Sequence, residues 1–207
     1  FLLSLINDIL DISKIESGAL VLQKAPYPYA RFRRYIQSVI QPLCDGKGIR
    51  FTLTGSAPSA CICTDEVRFN QIFFNLLSNA VKYSEPGSEV ALRMENGHSD
   101  GKTLCMDYVV EDHGTGMSAE FQKKLFTPFE REYAGDARMG TGLGLAITKR
   151  IVDAMGGTIR VDSTQGAGTT VTVHLELELA ADEQAEQPVP AGRDPGDVLP
   201  GHRVLAA

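Results

Sequence analysis

DEVRFNQIFFNLLSNAVKY, residues 65–83, carries two messages on one helix. Phe69, Ile72, Phe73, Leu76, Leu77 and Ala80 recur at helical spacing, so one side anchors a core. Arg68, Gln71, Asn75, Asn79 and Lys82 are spaced 3, 4, 4 and 3. At roughly 100° per residue they fall within an arc of about 80° on the other side. A carboxamide oxygen is a neutral, hard ligand suited to Mg²⁺ beside phosphates, and a lysine one turn on can meet phosphate charge. Taken alone, a solvent-facing polar stripe is the simpler account of this face. The neighbouring segments decide between the two.

Downstream, the apolar strand pattern of residues 103–111 runs into Asp112-His113-Gly114-Thr115-Gly116. Glycines let backbone approach a flat ligand, and an Asp at a strand end can accept from an exocyclic amine. A plain turn explains the same residues equally well. Phe126-Thr127-Pro128-Phe129-Glu130-Arg131 follows, then a polar loop over about 132–141 that is cheap to disorder and able to close over a ligand. The two phenylalanines are expected to anchor its base, or simply to sit in the core. Gly140-Thr141-Gly142-Leu143-Gly144-Leu145 then leads into a helix over 143–155. Free N–H groups at a helix start make an anion site. The pattern is not GxGxxG and does not follow a strand, which disfavours a dinucleotide-binding fold. Gly101-Lys102-Thr103 is no phosphate loop either: Asn96 stands where its first glycine is required, and a strand follows in place of a helix.

Working outward, a strand is expected at Ala19–Gln23, a break at Pro26 and Pro28, a helix over 29–44 and a strand over 49–54. Strands at 88–95 and 103–111 and a short helix at 118–125 come next. A final hairpin has arms 157–163 and 169–179. Hairpins rather than repeated βαβ units predict an α+β fold, a mixed sheet covered by helices on one face. Before it, Leu2, Leu5, Ile9 and Ile12 form a heptad seam that Leu3, Ile6, Leu10 and Ile15 widen, with Gly18 as a stop signal. This reads as one bundle helix over 1–18 whose partners are elsewhere, in a chain entered partway through a helix. Residues 180–200 hold five acids, one Arg and four prolines, a solvated linker. Residues 201–207, GHRVLAA, read as the opening of a buried strand.

Composition supports a folded protein: 43% hydrophobic and 22% charged over 207 residues. The formal charge of −6 argues against non-specific binding to nucleic acid or an anionic membrane. Cys44, Cys61, Cys63 and Cys105 show no CxxC spacing and no disulfide framework, so they read as reduced thiols of a cytoplasmic segment. No apolar run approaches the ~18–20 residues of a membrane span.

The order of these pieces is more specific than any one of them. NLLSNAVKY, DHGTG, FTPFER and GTGLGLAI resemble, in sequence and spacing, the N, G1, F and G2 boxes of sensor histidine kinases, over roughly residues 20–179. LSLINDILDISKIE resembles the second helix of that family's dimerisation domain, and GHRVLAA the first strand of a receiver domain, as in hybrid kinases. The resemblance implies the two-layer α/β sandwich shared by histidine kinases, gyrases and chaperone ATPases, with 19–179 as the ATP-binding domain. It implies ATP and Mg²⁺, with Asn79 holding the metal and Asn75 near the phosphates. Lys82 and Arg131 would meet phosphate oxygens, Tyr83 would flank the nucleotide, and Asp112 would bind the adenine amine beside Gly114 and Gly116. Phe129, Gly140, Thr141, Gly142, Leu143, Gly144 and Leu145 would shape the lid and phosphate contacts, and Thr169 and Thr170 would lie near adenine.

The activity implied is transfer of the γ-phosphoryl group to a histidine, then to an aspartate of a receiver domain in cis or of a response regulator, within a homodimer. The full-length protein could be membrane-anchored, with no membrane contact from this segment. His98, His113, His174 and His202 all lack the context of the family's phosphoacceptor, which is therefore expected upstream of residue 1. His113 also stands where small or polar residues are usual. Two other readings differ in class. One is a dimerising scaffold without catalysis, disfavoured because all four boxes keep their polar residues. The other is an ATPase of the same fold, which usually needs an acid where Asn75 stands, because a neutral amide cannot accept a proton near pH 7.

Overall fold

The structure is a computed structural model and describes residues 6, 9–13, 20–55, 61–132 and 141–180. Its elements are β1 (Ala25–Pro28), α1 (Tyr29–Lys47), β2 (Arg50–Thr54), β3 (Cys61–Thr64), α2 (Glu66–Tyr83), β4 (Glu89–Ser99) and β5 (Thr103–Asp112). They continue with α3 (Ala119–Gln122), α4 (Gly144–Ala154), β6 (Thr158–Thr164) and β7 (Gly168–Leu179). The strands form one sheet in the order β1-β3-β7-β5-β4-β2, with β6 also paired to β7. Every pairing is antiparallel except β2 with β4. This is the mixed-sheet α+β architecture expected, with α1, α2 and α4 packed on one face.

The expected alternation in the strands decides which face is covered. Tyr108 and Val110 of β5 and Val171, Val173 and Leu175 of β7 are buried under the helices. Between them and the helices, Phe32 of α1 and Phe69 and Phe73 of α2 close around Tyr108. The Phe73–Tyr108 and Phe32–Phe69 ring centroids lie 4.7 and 4.8 Å apart, a spacing that adds directional aromatic attraction to area burial. The alternate residues of the same strands face away. There Arg93 pairs with Glu111 and Glu95, and Asp107 pairs with His174.

Several boundaries moved for physical reasons. Residues 20–24 form no strand; the strand comes at Ala25–Pro28, through both prolines. That is possible because β1 pairs only with β3, so it is an edge whose missing donors face outward. The helix expected to end at 44 runs to Lys47, with Pro42 inside it on the exposed side. β3, reading CICT, was not expected. The helix expected over 118–125 is a single turn, Ala119–Gln122.

All four cysteines are free thiols, with Cys44 and Cys61 buried. Burial, assisted by Asp45, pushes the Cys44 thiol up to about 11. Among the described residues no helix is long and apolar enough to cross a membrane. Residue 6 and residues 9–13 are helical; Ile6, Ile9 and Leu10 are exposed while Ile12 packs on the core. Leu2, Leu3, Leu5, Ile15 and Gly18, the linker beyond residue 180 and the strand expected at 201–207 lie outside the described residues.

Candidate nucleotide site

α2 begins where Asp65 caps it, its carboxylate accepting from Arg68 N–H at 3.1 Å. Phe69, Ile72, Phe73, Leu76, Leu77 and Ala80 are all buried, so the helix is held by the face the periodicity assigned. The stripe on its other side divides into four parts. At the N-terminal end, Arg68 and Gln71 hold Asp11 of the helical segment at residues 9–13. Mid-helix, Asn75 Nδ2 donates to Gly144 O at 3.2 Å and to Thr148 Oγ1 at 3.3 Å, both on α4. Just over one turn later, Asn79 is half-buried and its carboxamide makes no hydrogen bond among the described residues. At the C-terminal end Lys82 Nζ donates to Tyr83 Oη at 2.9 Å and lies 4.6 Å from the ring centroid.

The orientation of Asn75 follows from its partners. A flipped amide would set Oδ1 against the Gly144 carbonyl, two acceptors at 3.2 Å. With Nδ2 spent on α4, Oδ1 is the atom left as an acceptor. Asn79 and Asn75 thus offer two neutral oxygen ligands in line with one ammonium. No group of three or more His, Cys, Asp or Glu able to hold a metal occurs among the described residues. This donor set suits a Mg²⁺ ion carried mainly by phosphates and water rather than one caged by protein carboxylates.

β5 delivers Asp112 to the other wall. Burial raises its carboxyl above the ordinary 3.8, and the N–H groups of Gly114 and Thr169 pull it part of the way back. The Gly114 N–H···Oδ1 distance is 2.9 Å. The following loop is threaded tightly between two elements. Thr115 N–H donates to Tyr83 O at 3.2 Å, and Thr115 O accepts from Gly166 N–H at 2.7 Å. A Cβ at Gly114 would overlap the Tyr83 carbonyl, which is why this position is glycine. Gly116 lies buried against Thr164.

On β7, Thr169 is paired with Asp112 and shares its face, and its hydroxyl lies 2.9 Å from Ser163 Oγ. Thr170, one residue on, alternates to the uncovered face opposite Glu111. The structure therefore sets Thr169 on the same sheet face as Asp112 and Thr170 on the opposite face, although both threonines border the cleft beside Asp112. A cleft of about 380 Å³ borders this loop, lined by Asp112, His113, Gln122, Ser163 and Thr169 among others; none of the α2 stripe lines it.

Phe129 departs from its expected role as an anchor. The residue is 62% exposed and its backbone has φ 67°. The anchoring is done by backbone instead, with Phe129 N–H donating to Gly142 O at 3.0 Å. Phe126 is half-buried and Arg131 is exposed. Thr141 Oγ1 accepts from Leu143 N–H at 3.2 Å. Leu143 is buried, Leu145 packs on the core, and α4 starts at Gly144 with no side-chain cap. Its first N–H groups are thus left for an anion. Gly140 and the rest of the loop over 133–140 lie outside the described residues. Thr148, four residues after Gly144 and so on the same helical face, was not among the expected site residues; that spacing was the available signal.

Comparison with known proteins adds independent findings. Residues 64–179 match the family described as Histidine kinase-, DNA gyrase B-, and HSP90-like ATPase. The autoinducer 2 sensor kinase/phosphatase LuxQ of Vibrio harveyi is 38% identical over 182 residues, 86% of this chain and 21% of that protein. The sensor histidine kinase GacS of Pseudomonas protegens is 36% identical over 91% of this chain and 21% of its own length. The chain therefore spans about a fifth of the length of the curated relatives it matches. Among solved structures, full-length ShkA in complex with AMPPNP superposes with a TM-score of 0.73 at 32% identity, covering 87% of this chain and 36% of that one.

Proposed function

The chain belongs to the histidine kinase-, DNA gyrase B- and HSP90-like ATPase family as an ATP-binding catalytic domain of the sensor histidine kinase type, and we propose that it transfers the γ-phosphoryl group of ATP to a histidine outside residues 1–207, for relay to a receiver aspartate. The observation that carries this reading is the alignment of Asn75, Asn79 and Lys82 on one face of α2, between the Asp112 wall and the start of α4. Phosphoryl transfer asks a protein mainly for positioning and for charge stabilisation, and this face supplies both.

In this reading Asp112 accepts from the adenine amine, with Gly114, Gly116 and Thr169 forming that wall and Tyr83 flanking the base. Lys82 and Arg131 meet phosphate oxygens. Thr141, Gly142, Leu143, Gly144 and Leu145, with Gly140 and Phe129, shape the lid and present backbone N–H groups to the phosphates. Asn79 would hold Mg²⁺, with Asn75 beside it; when bound, the ion neutralises charge on the phosphates. Residues 1–18 serve as a dimerisation helix, 180–200 as a tether and 201–207 as the start of a receiver domain. The partners are then a second copy and a receiver, within a cytoplasmic segment. His98 and His113 lie on exposed surface and His174 is paired with Asp107 on the uncovered sheet face; together with their sequence contexts, this supports an acceptor elsewhere.

Titration of the chain with Mg-ATP in a calorimeter tests this directly. Saturable, Mg²⁺-dependent binding that Asn79→Ala abolishes is the expected result. Wild-type chain that binds no nucleotide overturns the reading, and steady ATP hydrolysis by the isolated chain favours the ATPase alternative.

A further inference from the structure

The last turn of α2 carries Lys82 and Tyr83, and its carbonyls need donors from outside the helix. Ser84 N–H reaches back to Ala80 O at 3.1 Å. The next two carbonyls are met by a single side chain: Lys47 Nζ donates to Val81 O at 2.8 Å and to Lys82 O at 2.7 Å. A cation at the negative end of a helix is favoured by the aligned peptide dipoles, and charge-assisted bonds are stronger than neutral ones.

Lys47 is the last residue of α1, whose Phe32, Ile36, Ile40 and Cys44 are fully buried. The ammonium is therefore delivered from a fixed base. The same corner is tied again where Gly87 N–H donates to Gly48 O at 2.7 Å. On its far side the turn is wired to the Asp112 loop, because the Tyr83 carbonyl accepts from Thr115 N–H and Gly114 lies directly against it.

We propose that Lys47 is a positioning residue of the nucleotide site. By pinning the C-terminal carbonyls of α2 it fixes Lys82 and Tyr83, and through the Tyr83–Thr115 bond it fixes the loop that presents Asp112. The proposal rests on reading this site as one for a nucleotide. It assigns a role to a residue outside all four sequence boxes.

Two substitutions separate this role from bulk stability. Lys47→Met keeps the aliphatic stem but removes charge and donors; Lys47→Arg keeps a cation. Amide hydrogen exchange is followed on the nucleotide-free chain, and Mg-ATP affinity by calorimetry. In Lys47→Met, exchange at residues 82–84 and 114–116 is expected to accelerate about tenfold, the scale of a lost charged hydrogen bond. Exchange in the centres of β5 and β7 stays as in wild type, Mg-ATP affinity falls by about the same factor, and Lys47→Arg restores most of both. Unchanged exchange at those residues overturns the proposal. So does uniform acceleration across the sheet, or local acceleration with affinity intact. If wild-type chain binds no nucleotide, the functional reading fails, and the proposal of Lys47 as a nucleotide-positioning residue fails with it; the exchange pattern then reports only whether Lys47 pins the turn.

Discussion

Arg68 grips Asp11 through two parallel hydrogen bonds, Nη1 to Oδ2 at 2.6 Å and Nη2 to Oδ1 at 2.8 Å. Gln71 Nε2 adds a third donor to Oδ2 at 3.0 Å. The side chains are 17% and 15% exposed, so solvent screens this pair far less than an ordinary surface one. It ties the first helix to the same stripe of α2 whose later residues form the candidate site.

Removing one partner leaves the other charge half-desolvated. Arg68→Ala and Asp11→Ala are each expected to cost about 1–3 kcal/mol, between surface and fully buried pairs. Coupling of about 1 kcal/mol or more should remain in the double-mutant cycle. Urea unfolding of the four proteins measures both, and strictly additive single effects would refute the clamp.

Asp112 sets function against stability. Burial raises its carboxyl above 3.8, so the folded chain holds that proton more tightly than the unfolded chain does. Such a group favours folding fully below its unfolded value, and the contribution is lost as pH rises through the raised folded value. At neutral pH the ionised, half-buried carboxylate is a cost. Asp112→Asn should therefore be more stable than wild type at pH 7, with the advantage disappearing at roughly pH 4 and below. Its nucleotide affinity should fall about tenfold or more, since a charged acceptor is replaced by a neutral one. Urea midpoints at both pH values and calorimetry at pH 7 check the pair; a variant weaker in stability at pH 7 contradicts the argument.

Gly168 opens β7 at φ 102°, and a Cβ there would overlap the Asp112 carbonyl. Gly168→Ala adds both backbone strain and a clash with backbone, which cannot rotate away. A loss of about 2–4 kcal/mol is expected, together with displacement of Asp112 and weaker nucleotide binding. Thermal unfolding with and without Mg-ATP would show both; a variant with wild-type melting would mean that the β6–β7 turn yields more easily than its contacts imply.

How much was legible depended on how far each signal reached along the chain. α2 was readable because its core positions and polar stripe both repeat within one helix, and all six apolar positions are buried. The glycine clusters were readable because close backbone approach permits little else. Thr169 and Thr170 were not separable, since only the pairing of β7 with β5 says which of two neighbours shares a face with Asp112. β3 is four residues long, too short to show alternation against its flanks. Lys47 was invisible for a different reason: its partners are carbonyls, 34 and 35 residues away, and no side-chain pattern encodes a carbonyl. The Arg68–Asp11 pair spans 57 residues and could not be distinguished from any other surface charges.

Thr148 offers the sharpest test of how Asn75 is held. The threonine is fully buried in α4, and its hydroxyl is one of two acceptors for Asn75 Nδ2. Thr148→Val keeps the shape and removes the acceptor, leaving only the Gly144 carbonyl. Because a hydroxyl leaves a buried site with its partner still half-satisfied, global stability should change by about 1 kcal/mol or less. The Asn75 amide, however, loses one of the two acceptors that fix its orientation. Mg-ATP affinity should fall about three- to tenfold, the scale of one neutral hydrogen bond, and Thr148→Ser should recover it. In the nucleotide-free chain, the Asn75 side-chain NH₂ resonances should shift and exchange faster in the valine variant alone. Wild-type affinity and unchanged resonances in Thr148→Val would show that Gly144 suffices and that Thr148 merely fills the core.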